Sequence, residues 1–328
     1  MSDAATVTDP TGRPAGDGRP GTIDAVPVRH PWRWVAVAVI AVLAAMFVSM
    51  LVTNDAFNWP FIAEAMIQTP VLRGLVFGTI LTTLMAMVIG VVGGVLMAIM
   101  RLSDNPVLSS VAWLFTWFFR AVPRLVLLTI MGTLGIVFQG GMDIGIPFDN
   151  QIMSLLGMDG DLRFLSLDAN QIFTGIVGGA IGLGLSEAAY MAEIARSGIL
   201  SVDEGQHEAA SAIGMSRAKA MRRVVLPQAM RVIVPPTGNE TIAMVKDTSL
   251  LIGIPVSNEL FFQLRSIGSR TYETFAVLVA ATLWYLIICS VLMIIQSRLE
   301  KRFGRGHGSR TPSARGGLLG RLGMGGQR

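Results

Sequence analysis

Long apolar runs alternate with short polar, often basic, islands along this chain. Residues 34–53 form the first run, and about 20 apolar residues are enough to cross a bilayer as a helix. A cleaved signal peptide is the competing reading. Its apolar stretch is usually about 7–15 residues and ends at a small-x-small site, which is not evident here, so an uncleaved helix is expected. Residues 55–71 read as a short polar connection, with Trp59 and Pro60 at an interface. Residues 74–100 form the second run, long enough to tilt. Its Gly90, Gly93 and Gly94 make a small-residue face for close helix contact, read as packing within the subunit in preference to a dimer seam.

Arg101 to Phe119 contains a loop and then an amphipathic, turn-rich piece carrying Trp113 and Trp117. Arg120 and Arg124 would be costly at the bilayer centre. Both are therefore expected at the cytoplasmic boundary, with a third run at 122–139. Residues 140–170 read as a polar loop, in which Asp143, Asp149, Asp159, Asp161 and Asp168 face one cation, Arg163. The fourth run, 171–195, carries Gly175, Gly178, Gly179 and Gly182. Residues 232–256 are a poorer run, interrupted by Asn239, Glu240, Lys246 and Asp247. A second polar loop is expected at 258–272 and the last run at 274–296. The ends lack apolar periodicity and are expected to be disordered or flexible. This gives a tail at 1–30, an extra helix and connection at 31–71, a transmembrane domain at 72–300 and a basic tail at 301–328.

Composition supports the pattern. The chain is 52% hydrophobic and 15% charged, against about 25% charged in soluble domains. The placement of charge matters more than its net value of +4. Arg29 and Arg33, then Arg101, Arg120 and Arg124, then Arg217 to Arg231, then Arg298 to Arg305 can all lie on one side of the membrane. With the aspartate-rich loop on the other side, about six crossings with both termini cytoplasmic satisfy the positive-inside rule. Nucleic acid is not an expected partner; membrane lipid is. The one cysteine, Cys289, lies in an apolar run, which excludes a disulfide framework and a cysteine metal cluster.

The longest polar island, Glu208 to Pro227, reads EAASAIGMSRAKAMRRVVLP. Ser201 with Glu204 three residues later suggests a capping box that opens a first short helix. Gly214 breaks it, Ser216 caps a second helix, and Pro227 is expected to stop that one. Ala209, Ala210 and Ala212 keep the first helix slim, so another surface can approach its backbone.

Glu208-Ala209-Ala210, Gly214 and Leu226-Pro227 stand at the spacing of the "EAA loop" and so resemble the permease subunits of ABC transporters. Val224 replaces the family's usual isoleucine. The flanks GLSEAAYMAEIARSGILSVDEGQHEAA and LPQAMRVIVPPTGNETIAMVKDTSLL are similar to the polar amino-acid uptake subfamily. Arg120-Ala121-Val122-Pro123 matches its Arg-Gly-Thr-Pro segment at two of four residues. The resemblance covers residues 72–300 and implies an all-α polytopic fold of the type I importer kind, in the plasma (inner) membrane. It implies that the loop at 197–230 docks on a separate ATPase subunit, through Glu208, Ala209, Ala210, Gly214, Leu226 and Pro227. It also implies an extracytoplasmic solute-binding protein, and a second permease copy or a homologous permease.

The chain has no Gly-x-x-x-x-Gly-Lys-Ser/Thr loop. ATP and its Mg are therefore expected on the partner ATPase, with no cofactor or metal on this chain. No Gly-x-Ser-x-Gly or His-Glu-x-x-His occurs either, so a polytopic membrane enzyme is poorly supported. A secondary carrier or channel is the other alternative, but only one interrupted segment is evident where inverted repeats would give two. Polar groups inside the runs remain as substrate-pathway candidates. Glu187, mid-way along the fourth run, either lines the pathway or forms a structural ion pair, for instance with Lys246. Glu193 and Arg196 are spaced to pair on one helix face. Asn239 with Lys246, and Glu240 with Asp247, each share a face seven residues apart; Thr248 and Ser249 extend that polar surface.

Overall fold

A computed structural model describes residues 30–138, 141–157, 163–254 and 256–303. The two expected tails, but for a few residues next to the helices, lie outside the described residues, as do Asp159 and Asp161. The chain divides into two compact units, Met1–Asp55 and Ala56–Arg328. The described part of the first is α1, Pro31–Thr53, with Pro31 at its start, where a missing N–H costs nothing.

The second unit begins with α2, Trp59–Ile67, and α3, Thr69–Arg73. The connection expected at 55–71 is thus mostly helical. It packs because Ile62, Ala65 and Val71 are buried against Leu260, Leu264, Ala276 and Val277. A π-helical stretch, Gly74–Ile80, joins α3 to α4, Leu81–Arg101. The piece expected to be turn-rich is a helix, α5, Pro106–Ala121, opened by the Asn105 side chain accepting from the Val107 amide. Pro123 interrupts it, and α6, Arg124–Val137, leaves at 102°. The third run is therefore the 14-residue α6, which starts at Arg124.

The described part of the aspartate-rich region holds a small two-stranded sheet and a helix where a loop was expected. β1, Met142–Gly145, pairs antiparallel with β2, Arg163–Leu167, and α7, Asp149–Leu156, lies between them in sequence. Arg163 ties it together, 2.7 Å from Asp143 and 3.0 Å from Asp149. After α8, Ala169–Phe173, comes α9, Gly175–Leu200, the most buried of the long helices.

Helix α9 packs along α4, and the glycines make this possible. A Cβ on Gly90 would lie 2.6 Å from the Glu187 Cγ, and one on Gly94 2.9 Å from the Met191 carbonyl carbon. Gly184 returns the relation, its Cβ position lying 2.7 Å from Ile89. The small-residue face thus serves packing within the subunit, as expected.

Then follow α10, Glu204–Ala212, α11, Arg217–Ala220, a π-helical turn Met221–Val225 and α12, Leu226–Asp247. Pro227 does not stop a helix; the helical run passes through it, from α11 and the π-helical turn into α12. Residues 217–247 are continuous helical backbone, and the π-helical turn Met221–Val225 just before Pro227, where the Leu226 amide reaches back to the Met221 carbonyl, is the local irregularity that accompanies the proline. Pro235 and Pro236 sit inside α12, and the Pro235 carbonyl accepts from the Gln296 side chain. A 3-10 segment, Thr248–Gly253, ends this helix. The second expected loop is instead α13, Leu260–Thr271. Its Leu260, Leu264 and Gly268 recur every fourth residue and are buried, a helical stripe that its polar residues obscure in the sequence. The last helix is α14, Thr274–Phe303.

Among the described residues four helices are long and apolar enough to cross a membrane, or five if α5 and α6 form one broken span. The sixth expected crossing is α12, which has the length but carries Asn239, Glu240, Lys246 and Asp247.

Candidate functional site

Two polar regions stand out in the second unit. The first is the turn between α10 and α11. Asp203, not Ser201, caps α10, accepting from the Gly205 amide at 2.8 Å. The Ser201 hydroxyl instead donates to the Gly198 carbonyl at the end of α9. Ser201 lies too early because α9 runs on to Leu200. The other end of α10 is a double-bonded reversal. The Met215 amide donates to the Ala210 carbonyl and the Gly214 amide to the Ser211 carbonyl, both at 3.0 Å. Gly214 has φ +75°, the left-handed conformation this motif needs one residue past the cap. Ser216 stands at the start of α11 but makes no side-chain cap bond.

Glu208, Ala209, Gly214, Leu226 and Pro227 are exposed, while Ala210 is buried. The outer surface of α10 therefore presents Glu208 and Ala209, and Ile213 beside them is 73% exposed. Gln228 fixes this element to α12, donating to the Val224 carbonyl at 2.9 Å and to the Gln206 side chain at 3.3 Å. Glu193 and Arg196 pair at 2.9 Å as their spacing predicts, and Arg101 joins them at 3.6 Å.

The second region is an ion cluster between α6, α9 and α12. Arg124 donates to Glu187 at 2.9 Å and pairs with Asp247; Glu240 stands 3.9 Å away. The Tyr190 ring lies 4.9 Å from the same guanidinium, and Arg120 is 5.6 Å from that ring. Glu187 is fully buried. Arg124 is level with Glu187, mid-way along α9, because the break at Pro123 turns the start of α6 toward α9 and α12. One expectation is corrected: the partner of Glu187 is Arg124, and Lys246 is exposed elsewhere on α12. A guanidinium spans two carboxylates on different helices through separate nitrogens, which an ammonium cannot do as a fork.

The fold brings Glu187, Glu240 and Asp247 together and sets the other pathway candidates apart. Asn239 accepts from Gln296 of α14 at 2.8 Å, and Ser249 donates to the Lys246 carbonyl. Thr248 is buried and donates to the Val245 carbonyl, with Glu259 at 3.4 Å.

Glu259 is the polar centre the sequence reading missed. Fully buried, it accepts from Thr79 at 2.8 Å, Tyr285 at 2.9 Å and the amides of Phe261 and Phe262 at 2.7 and 3.1 Å. It caps α13 and ties the π-helical stretch 74–80 to α14. An acidic residue just before a stripe of apolar residues at i, i+4 and i+8 is the signal that would have found it. Glu259→Ala would strand those donors, a loss on the order of 3 kcal/mol from the cap and the buried hydroxyls. The purified protein is expected to melt several degrees lower, with Glu259→Gln between the two. An unchanged melting temperature in Glu259→Ala would show that this carboxylate does not hold the joint together.

Comparison with known proteins accords with this architecture. Residues 90–305 match the family described as "Binding-protein-dependent transport system inner membrane component". The arginine transport system permease protein ArgU of Corynebacterium glutamicum is 43% identical over 92% of this chain and 89% of its own length. The histidine/lysine/arginine/ornithine transport system permease protein HisM of Escherichia coli K12 is 34% identical over 69% of this chain and 85% of its own. A solved amino acid ABC transporter, crystallised with histidines, superposes with TM-score 0.54 at 30% identity, covering 71% of this chain and 94% of the other. With the match spanning most of the chain, it belongs to the inner membrane components of binding-protein-dependent transport systems, the permease subunits of ABC transporters.

Proposed function

We propose that this chain is the permease subunit of an ATP-driven importer that moves a polar amino acid across the inner membrane by alternating access. The observation that carries the reading is the exposed α10 surface, held by the Gly214 reversal to α11, from which the helical run continues into α12. A rigid short helix there can pass a partner's movement into α12, which carries Glu240 and Asp247. The ATPase subunits that bind ATP and Mg dock on Glu208, Ala209 and the exposed Ile213, with Leu226 and Pro227 at the base. ATP binding then favours one conformation only so far as the ATPase contacts differ between the two. A solute-binding protein delivers the amino acid to the opposite face, where the aspartate-rich hairpin lies. A second copy of this chain or a homologous permease completes the pathway. Glu187, Glu240 and Asp247 supply its charged groups, and the basic amino acids and glutamine for which relatives are named are the expected substrates.

The reading places α10 in the cytoplasm with both termini. The test uses Ala209→Cys in a chain whose one cysteine, the buried Cys289, is replaced by serine. A membrane-impermeant maleimide is expected to label Cys at 209 in inside-out vesicles only, and bound ATPase subunits are expected to block it. Labelling of intact cells, or labelling indifferent to the ATPase, would contradict the proposal.

A further inference from the structure

Three carboxylates, Glu187, Glu240 and Asp247, converge on one guanidinium, that of Arg124. Two negative charges are therefore in excess. Arg120 does not balance them directly; it meets the group only across the Tyr190 ring. One oxygen of the buried Glu187, Oε1, has no hydrogen-bond partner in the structure. The cluster is also open on one side, since the side chains of Glu240 and Asp247 are 27% and 29% exposed. Buried carboxylates are ordinarily paired and fully bonded, and here one cation faces three of them, with charge and acceptor oxygens left over for another.

A pathway site must hold its cargo tightly enough to admit it and weakly enough to let it go. Three unopposed carboxylates on a buried wall would bind a guanidinium or ammonium too firmly to release it. We infer that Arg124 is a specificity-determining residue: as a resident counter-cation it weakens the Glu187–Glu240–Asp247 cluster for the cationic group of the substrate, so that a basic amino acid passes without being trapped. This rests on the amino-acid reading above. Arg124 acts by charge repulsion against a second cation a few ångströms away, an effect strong at the low effective dielectric of such a site. Its fork to Glu187 and Asp247 fixes it in place on two helices at once. A neutral substrate side chain feels little of this.

The test is direct binding of radiolabelled L-arginine and L-glutamine to the assembled transporter, permease with its ATPase subunits, followed by ATP-driven uptake of each. Arg124→Met is expected to tighten arginine binding by about tenfold or more, to shift glutamine by less than about threefold, and to slow arginine uptake at saturation. Glu240→Gln, which removes the most distant of the three acids, is expected to do the reverse, weakening arginine by about tenfold with glutamine again nearly unchanged. If Arg124→Met fails to assemble, Glu240→Gln decides alone. An equal loss of both amino acids, or an arginine-to-glutamine ratio that moves in neither variant, would overturn the inference and leave Arg124 a structural tie. A parent complex that binds neither amino acid would overturn the amino-acid reading, and this inference with it.

Discussion

Gly214→Val is expected to abolish ATP-driven uptake while leaving the permease in the membrane at its parental level. The reason is conformational. Gly214 has φ +75°, and a Cβ built there meets nothing within 4 Å. The added side chain does not collide; the backbone cannot hold the angle. Left-handed geometry costs an ordinary L-residue roughly 1–2 kcal/mol, and a β-branched one more. Relaxing that strain breaks the paired bonds from Met215 to Ala210 and from Gly214 to Ser211, and α10 leaves its angle to α12. The helices of the membrane domain lie elsewhere, so they assemble as before. The chemistry predicts an order: Gly214→Asn, which tolerates this region, keeps most uptake, Gly214→Ala keeps less and Gly214→Val none. Three variants of equal activity would show that the turn's angle does not matter. Uptake in vesicles, with immunoblots for permease level and co-purification of the ATPase, measures all of this.

Gly94→Val is expected to have the opposite signature: little permease in the membrane, with the survivors active. At Gly94 the added atoms would meet backbone, the Met191 carbonyl carbon at 2.9 Å and the Ala188 carbonyl oxygen at 3.0 Å. Backbone inside a helix cannot step aside, so α4 must move off α9. Overpacking of this kind costs about 1–3 kcal/mol and more where nothing yields, and close approach at small residues is what holds membrane helices together. Separation of α4 and α9 also uncovers Glu187, which sits against Gly90 one turn away. Gly93→Ala is the contrast: its Cβ meets only the Ala188 methyl at 3.0 Å, and a mild loss is expected. Membrane levels of Gly94→Val equal to the parent would refute this account of the α4–α9 contact.

The long helices were legible because one property, an apolar run of bilayer length, decides them. The Gly90–Gly94 face and the Glu193–Arg196 pair were legible for the same kind of reason, since both follow from helical spacing alone. The Gly214 turn needed only the fact that glycine adopts positive φ cheaply. What failed was whatever depends on a partner distant in sequence. The partners of Arg124 were not legible because hydropathy weighs it alone; Glu187 and Asp247 lie 63 and 123 residues away, and the bend at Pro123 brings them together. The helix α13 looked like a loop because its stripe is narrow and its polar face dominates composition. Ser201 looked like a cap because the reach of α9 to Leu200 is set by packing, through Gly198 against Ile233, and not by any local stop signal. Pro227 was read as an end because proline disfavours a helix interior, but the helical run continues through it, with a π-helical turn just before the ring.

The central claim is that this chain forms the membrane pathway of an amino-acid importer driven by a separate ATPase. The most direct measurement is uptake of radiolabelled L-arginine and L-glutamine into proteoliposomes holding the permease with its ATPase subunits, the binding protein on one side and ATP on the other. The account predicts accumulation of at least one of them against its gradient. That accumulation should require ATP hydrolysis and the binding protein, and should be absent from Gly214→Val liposomes. Transport that proceeds without ATP, or that Gly214→Val leaves intact, would contradict it.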